Sequence, residues 1–196
     1  QISALTTTQI AVFRTTSLGT LTSTQMKGFE VVDIQRFTAA QVASLSATGL
    51  TGFATTQIQA ITTHLGSMTT TQLNALRSTQ IAAFTATQFA LFTTTQLAGL
   101  NNTQIKSLST TQLAILSTLQ LGGLSSTQLG AMSTNQVNAL ATNVIAAIST
   151  TQFSGLTTLQ LKSLDATNFA ALTTTQIGNM NTTQVQNITS DRKSVV

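Results

Sequence analysis

Few residues of this chain could do chemistry. His64 is its only histidine, and there is no cysteine. A lone histidine could act as a general base, but a base needs a nucleophile within hydrogen-bond reach. A metal site needs several ligands together, and His64 has no second His or Cys for company. It stands where neighbouring segments carry glutamine, so it reads as a glutamine substitute. Glu30 and Asp33 lie three apart, with Arg36 following. Paired carboxylates can share acid and base work, but an adjacent arginine makes a solvated or ion-paired patch the simpler reading. The stretch "LGGL" at Leu121–Leu124 lacks the lysine and spacing of a phosphate loop. Serines are abundant but have no titratable partner. The sequence therefore argues against an enzyme, and no cofactor, metal or small-molecule substrate is expected.

A different kind of site comes from threonine. Thr87, Thr95, Thr103 and Thr111 recur every eighth residue. Stacked in register, they would form a row of hydroxyl and methyl groups able to bind ice, carbohydrate or another ordered surface. Val32, Ala40, Leu119 and Leu159 interrupt the pattern.

The elements that would position such a row follow from the repeat. Counted from its glutamine, each unit reads Gln-apolar-x-small-apolar-Ser/Thr-Thr-Thr. Units start at residues 1 to 57 in steps of eight, then at 64 and every eighth residue to 184; Gln57–Thr63 has lost one residue. Positions 2 and 5 are apolar in all 24 units, and position 1 is Gln in 18 of them. Disorder, which low charge and many polar residues can signal, does not hold two apolar positions in register that long. Repeats of this kind stack into a solenoid in which each turn touches its neighbours. No composition shift marks a boundary, so residues 1–190 read as a single array.

Positions 2 and 5 are three apart, which places them on one face of a helix and on opposite faces of a strand. A continuous helix fails as well, because eight residues over-rotate by roughly 80° per unit and the apolar stripe would spiral. The helix must break once per unit. Position 6 is Ser, Thr, Asn or Asp in 19 of 24 units. These types cap helix N-termini, and Gln three residues later completes the capping box. With Ser109 as N-cap, Gln112 is N3, Leu113 is N4 and Leu108 is N′, so the two apolar positions are those of the hydrophobic staple. Asn101, Ser109, Ser117, Ser125, Ser133 and Asp165 are expected N-caps. Leu97, Leu100, Ile105, Leu108, Leu113, Leu116, Leu121 and Leu124 are the matching core. The prediction is an all-α solenoid of capped helices of about seven residues, with one non-helical residue between them. A β-solenoid, favoured by threonine's strand propensity, is the alternative. Phenylalanines recur at spacings of 16 (Phe13/Phe29) and 24 (Phe13/Phe37), which leaves two or three units per turn open. Glutamine in place of glutamate at position 1 would avoid a column of like charges.

Two resemblances follow from these residues. "LTTTQIGNM" at Leu172–Met180 resembles the first helix of the repeat in TAL-effector DNA-binding proteins. The likeness implies the helix start alone, since that family's repeat is much longer and no unit here has its base-reading loop. "FTTTQLAGL" at Phe92–Leu100 resembles Thr/Gln-rich tracts of very large, adhesin-like bacterial secreted or surface proteins. That likeness implies a stalk or spacer role at an extracellular or cell-surface location.

The tail Asp191–Val196, "DRKSVV", leaves the frame: Lys193 would occupy position 2. It is also what a common short-read sequencing adapter encodes, so it is expected to be non-native, and the chain a fragment of a longer repeat protein. Without it, Arg14, Lys27, Arg36, Arg77, Lys106 and Lys162 face Glu30, Asp33 and Asp165. Scattered cations make no phosphate-tracking stripe, which leaves nucleic-acid binding the weakest function considered. No apolar run is long enough to span a bilayer, so membrane insertion is not expected. Solenoid ends without polar caps expose core, which predicts self-association through the ends.

Overall fold

The computed structural model describes residues 2–62 and 64–192. Residues 193–196 of the tail, Lys193 among them, lie outside the described residues. The described residues form 22 short α-helices and two 3-10 turns, with no strand among them. The chain is all-α and solenoid-like.

Each helix starts where a capping residue turns the backbone. Ser109 is extended, with φ −75° and ψ 157°, and the helix Thr110–Ala114 follows it. The Leu113 N–H donates to the Ser109 carbonyl at 3.1 Å, one α-helical bond, and the Leu116 N–H then donates to the Leu113 carbonyl at 3.2 Å. That second, tighter bond spans three residues. It draws position 5 out of the helix and lets position 6 extend again. Apart from the last, Thr182–Arg192, the α-helices run four to six residues, with two to four residues between them save at 61–69, where the 3-10 turn Leu65–Ser67 lies between two α-helices. They are therefore shorter, and the gaps wider, than the sequence period suggests. The reason lies in the staple: the position-5 side chain must turn inward before the cap, so the helix ends at position 2, 3 or 4. Among the described residues none has a positive φ. The corners are made by extended caps and need no left-handed glycine.

Helices stack on their third neighbours. In one compact unit, Gln1–Ser107, Asn102–Ser107 packs on Ser78–Ala83 and Thr94–Ala98 on Thr70–Ala75. In the other, Leu108–Val196, Ser126–Ala131 packs on Thr150–Phe153, which packs on Thr174–Gly178. Each turn of each unit thus holds three repeats, 24 residues, or 23 where the heptad Gln57–Thr63 takes part. Three is the answer to the ambiguity left by the phenylalanine spacings. Position-5 rings meet in the interior, within a turn and between turns: Phe29 lies 6.4 Å from Phe13 and 5.3 Å from Phe37, both edge-on. Positions 2 and 5 form the core from Met26 to Leu164, whereas near the C-terminal end of the described residues the position-2 residues Ile177 and Val185 are exposed. Leu97, Leu100 and Ile105 in the first unit, and Leu108, Leu113, Leu116, Leu121 and Leu124 in the second, are all buried.

Short helices are not stable alone, so the stacking must be close. Position 4 shows how close. A Cβ at Gly155 would run into the backbone carbonyl of Ser126, and one at Gly52 into that of Ser23. Gly178, at position 3, has open space around it. Gly155→Ala should therefore destabilise the protein by about 1–3 kcal/mol through overpacking. Gly178→Ala should stabilise it by about 0.5–1 kcal/mol through helix propensity. Chemical denaturation of the two variants checks the opposite signs.

Candidate functional site

The groups with the most demanding chemistry here are the side chains at position 1. Gln104 shows the full arrangement. It is N3 of its helix, and its N–H donates to Oδ1 of Asn101 at 3.0 Å. Its own Oε1 accepts from the Asn101 N–H at 3.0 Å. That closes the capping box and occupies one end of the amide. The other end reaches across to the preceding turn, where Nε2 donates to the carbonyls of Leu73 at 2.8 Å and Leu76 at 2.7 Å. These two carbonyls flank the corner that leads into Ser78–Ala83, the helix beneath. The amide therefore clamps one corner over another. Gln104 is only 1% exposed.

The pattern repeats. Gln96 donates to Leu65 and Met68, both at 2.8 Å. In the second unit Gln152 donates to Leu121 and Leu124, Gln160 to Leu129 and Met132, and Gln176 to Ile145 and Ile148, all between 2.7 and 2.9 Å. The acceptors stand at positions 2 and 5 of the unit four back. Glutamate could close the capping box but could not donate across the turns. This explains glutamine better than avoidance of a charge column does. Buried polar groups must be hydrogen-bonded, and among the described residues no buried side-chain nitrogen or oxygen is left without a partner.

The caps supply the other half. Side-chain oxygens of Ser109, Ser117, Ser125 and Ser133 accept the N3 N–H at 3.1–3.2 Å. Asp165 accepts from Asn168 at 2.7 Å. Where the cap has no suitable oxygen the glutamine suffices: the Ala54 N–H still donates to Gln57 Oε1 at 2.7 Å, and the Arg77 N–H to Gln80 Oε1 at 2.9 Å.

Substitutes at position 1 show what the site requires. Asn168 is one methylene short of reaching back. Its Nδ2 still donates to the Asn138 carbonyl at 2.9 Å, while Asn138 Oδ1 takes over as acceptor for the Asp165 N–H at 3.0 Å. Gly49 has no side chain, and the cap Ser46 supplies the crossing bond instead, from its hydroxyl to the Leu21 carbonyl at 3.1 Å. Asp33 keeps only the local half, accepting from the Glu30 N–H at 2.9 Å. It is buried, not part of a solvated patch with Glu30 and Arg36: its place in the octad, not its charge, decides where it goes. His64 is half-buried and caps nothing. Among the described residues no group of three or more His, Cys, Asp or Glu could hold a metal, and no helix is long and apolar enough to cross a membrane.

The threonine row needs correction. Thr87, Thr95 and Thr103 are exposed but lie on consecutive helices, Ala86–Phe89, Thr94–Ala98 and Asn102–Ser107. Stacking partners are third neighbours, so these three do not share a column. Thr111, also exposed, belongs to the other unit, where its hydroxyl meets that of Ser109 at 2.8 Å. The columns run at one turn, not one octad. In Gln1–Ser107 one is Thr24, Thr48, Thr71 and Thr95; in Leu108–Val196 one is Thr127, Thr151 and Thr175. All seven are exposed, on helices that stack in order.

Among known families, the model described as the ALTTAQ repeat matches residues 110–142 and 145–182, just over a third of the chain. Its six letters read onto Ala171–Gln176 with one difference, Thr175 for alanine. The two matched stretches are parted at Asn143 and Val144, where valine stands in the glutamine position. No curated protein matches the chain. The chain is a short-tandem-repeat protein.

The crossing bonds generate a specific test. Gln104→Glu keeps the size and the capping acceptor but sets a carboxylate against two carbonyl oxygens. It should cost about 3 kcal/mol or more at neutral pH. Burial against the two carbonyl oxygens raises the introduced carboxyl's folded-state pKa above its unfolded value. The loss is therefore full above the folded pKa and relieved as pH falls toward the unfolded one. Gln9→Glu, on an exposed glutamine, should cost far less. Denaturation at two pH values reads both.

Proposed function

We propose that the chain is a structural spacer, a stalk segment of a large bacterial extracellular protein whose length is set by its number of octads. The observation that carries this reading is where the polar chemistry goes. The buried glutamines are spent on holding each turn to the one before, as at Gln104 and Gln160. The same bonds recur from turn to turn, so octads can be added without designing a new contact. The likeness of Phe92–Leu100 to tracts of adhesin-like proteins supports an extracellular setting.

Length is the property to measure. Removing or adding three octads within Leu108–Val196 should change the maximum dimension in small-angle scattering by about 8–10 Å, the spacing of packed helices. A change in cross-section at constant length would contradict the spacer role. Sedimentation of the same proteins tests self-association through the ends: mass should rise with concentration, and a monomer at every concentration would rule it out.

The unbroken columns favour a second reading, a surface-binding module for ice or carbohydrate. Val32, Ala40, Leu119 and Leu159, which interrupt the eight-residue pattern, all sit outside the columns through Thr48 and Thr151. Inhibition of ice recrystallisation, lost in Thr151→Lys, is the expected result on this reading. Absence of activity at high micromolar protein closes its ice-binding form.

A further inference from the structure

The heptad Gln57–Thr63 is the one place where the octad count fails, and its consequences reach beyond the missing residue. A capping box needs its cap and its N3 residue three apart. Here the position-6 residue Thr62 and the position-1 residue His64 are two apart. The helix that should follow does not form. In its place is the three-residue 3-10 turn Leu65–Ser67, closed by Ser67 N–H to the His64 carbonyl and Met68 N–H to the Leu65 carbonyl, both at 3.0 Å. The other 3-10 turn among the described residues, Ile2–Ala4, lies in the first octad.

The crossing bonds fail at the same point. By the pattern of the other units, the residue at position 64 should donate to the carbonyls of Ile34 and Phe37. His64 lies beside Ile34 and Phe37, in a narrow crevice shared with Ala60, Ile61 and Thr62, but no hydrogen bond from its ring joins the two turns among the described residues. The break is local: Gln88, which crosses back onto the heptad, still donates to Gln59 at 2.7 Å and Ile61 at 3.2 Å, as Gln41 does to Ala11 and Phe13 away from it. Elsewhere a lost glutamine leaves the helix in place, even at Asp33, which keeps only the local bond. Ser46 replaces the bond at Gly49, Asn138 completes the box at Asn168, and Val144 fills its site with hydrocarbon at the start of an intact helix. Among the described residues, only at His64 are the helix and the crossing bonds lost together.

We propose that this seam, between Ile34–Phe37 and His64–Met68, is a built-in yielding point at which Gln1–Ser107 opens before its other turns. Cooperative opening begins where buried contacts and protected hydrogen bonds are fewest. On either side the turns are clamped, by Gln57 to Phe29 at 2.6 Å and by Gln72 to Val42 at 2.9 Å and Leu45 at 2.7 Å. Opening is therefore confined to one gap. A loaded or heated chain would part there while the flanking turns keep their stacking. This device stands whether or not the chain serves as a spacer.

Hydrogen exchange followed by mass spectrometry on the full chain tests it. Amides of Leu65–Met68 should exchange about tenfold faster or more than those of the flanking helices Thr55–Ala60 and Thr70–Ala75. A repaired chain, with one threonine inserted directly before His64 and His64→Gln, should slow the seam to the rate of its flanks. His64→Gln alone should leave it fast, because the spacing is still wrong. Equal rates at seam and flanks in the unaltered chain would overturn the proposal. So would full protection from His64→Gln alone, or a repaired chain that folds and still opens first at the same place.

Discussion

Everything in this fold depends on one buried amide used at both ends. A helix of four to six residues has more unpaired backbone groups at its ends than bonds within it. The position-1 glutamine answers both deficits. Its oxygen accepts the N–H of its own cap, and its nitrogen gives hydrogens to carbonyls at the corner below. Gln104, joined to Asn101 on one side and to Leu73 and Leu76 on the other, is both a local cap and a tertiary contact. Because one side chain does both, helix formation and stacking are coupled. Neither is expected to persist without the other.

The constraint also fixes what can vary. Position 4 must stay small where the turn beneath approaches, as at Gly52 and Gly155. Positions 2 and 5 must be apolar but can be Leu, Ile, Met, Val or Phe, since they fill a shared interior. The cap hydroxyl can be lost, as at Ala54 and Arg77, provided the glutamine remains. Loss of spacing is different, because the cap and N3 then no longer face each other. That is why one missing residue before His64 alters more than the replacement of glutamine by asparagine at 168 or by glycine at 49.

Much of this was legible in the octad. The three-and-five spacing of apolar positions excludes a regular strand. Ser/Thr-x-x-Gln names the helix start, and the staple residues Leu108 and Leu113 are the buried ones. Three things were not legible, for separate physical reasons. Helix length was overestimated because the period counts residues per unit, whereas the inward turn of position 5 ends the helix early. Units per turn could not be read, since phenylalanine spacings of 16 and 24 fit either closure until the helices are seen to stack on their third neighbours. The threonine row failed with it: Thr87, Thr95 and Thr103 are neighbours in sequence period but not in space. The crossing bonds left one trace, the preference for glutamine where a capping box tolerates glutamate. That trace has two explanations in one dimension and one in three.

The most direct measurement is solution NMR of the glutamine side-chain amides. If the buried amides clamp successive turns, Nε2 hydrogens of Gln104, Gln160 and Gln176 will exchange slowly with solvent and show through-bond coupling to the carbonyls of Leu73 and Leu76, Leu129 and Met132, and Ile145 and Ile148. Exposed Gln9 and Gln25 will exchange as free amides do. If all of these glutamines exchange alike and show no such coupling, the turns are held together by something else.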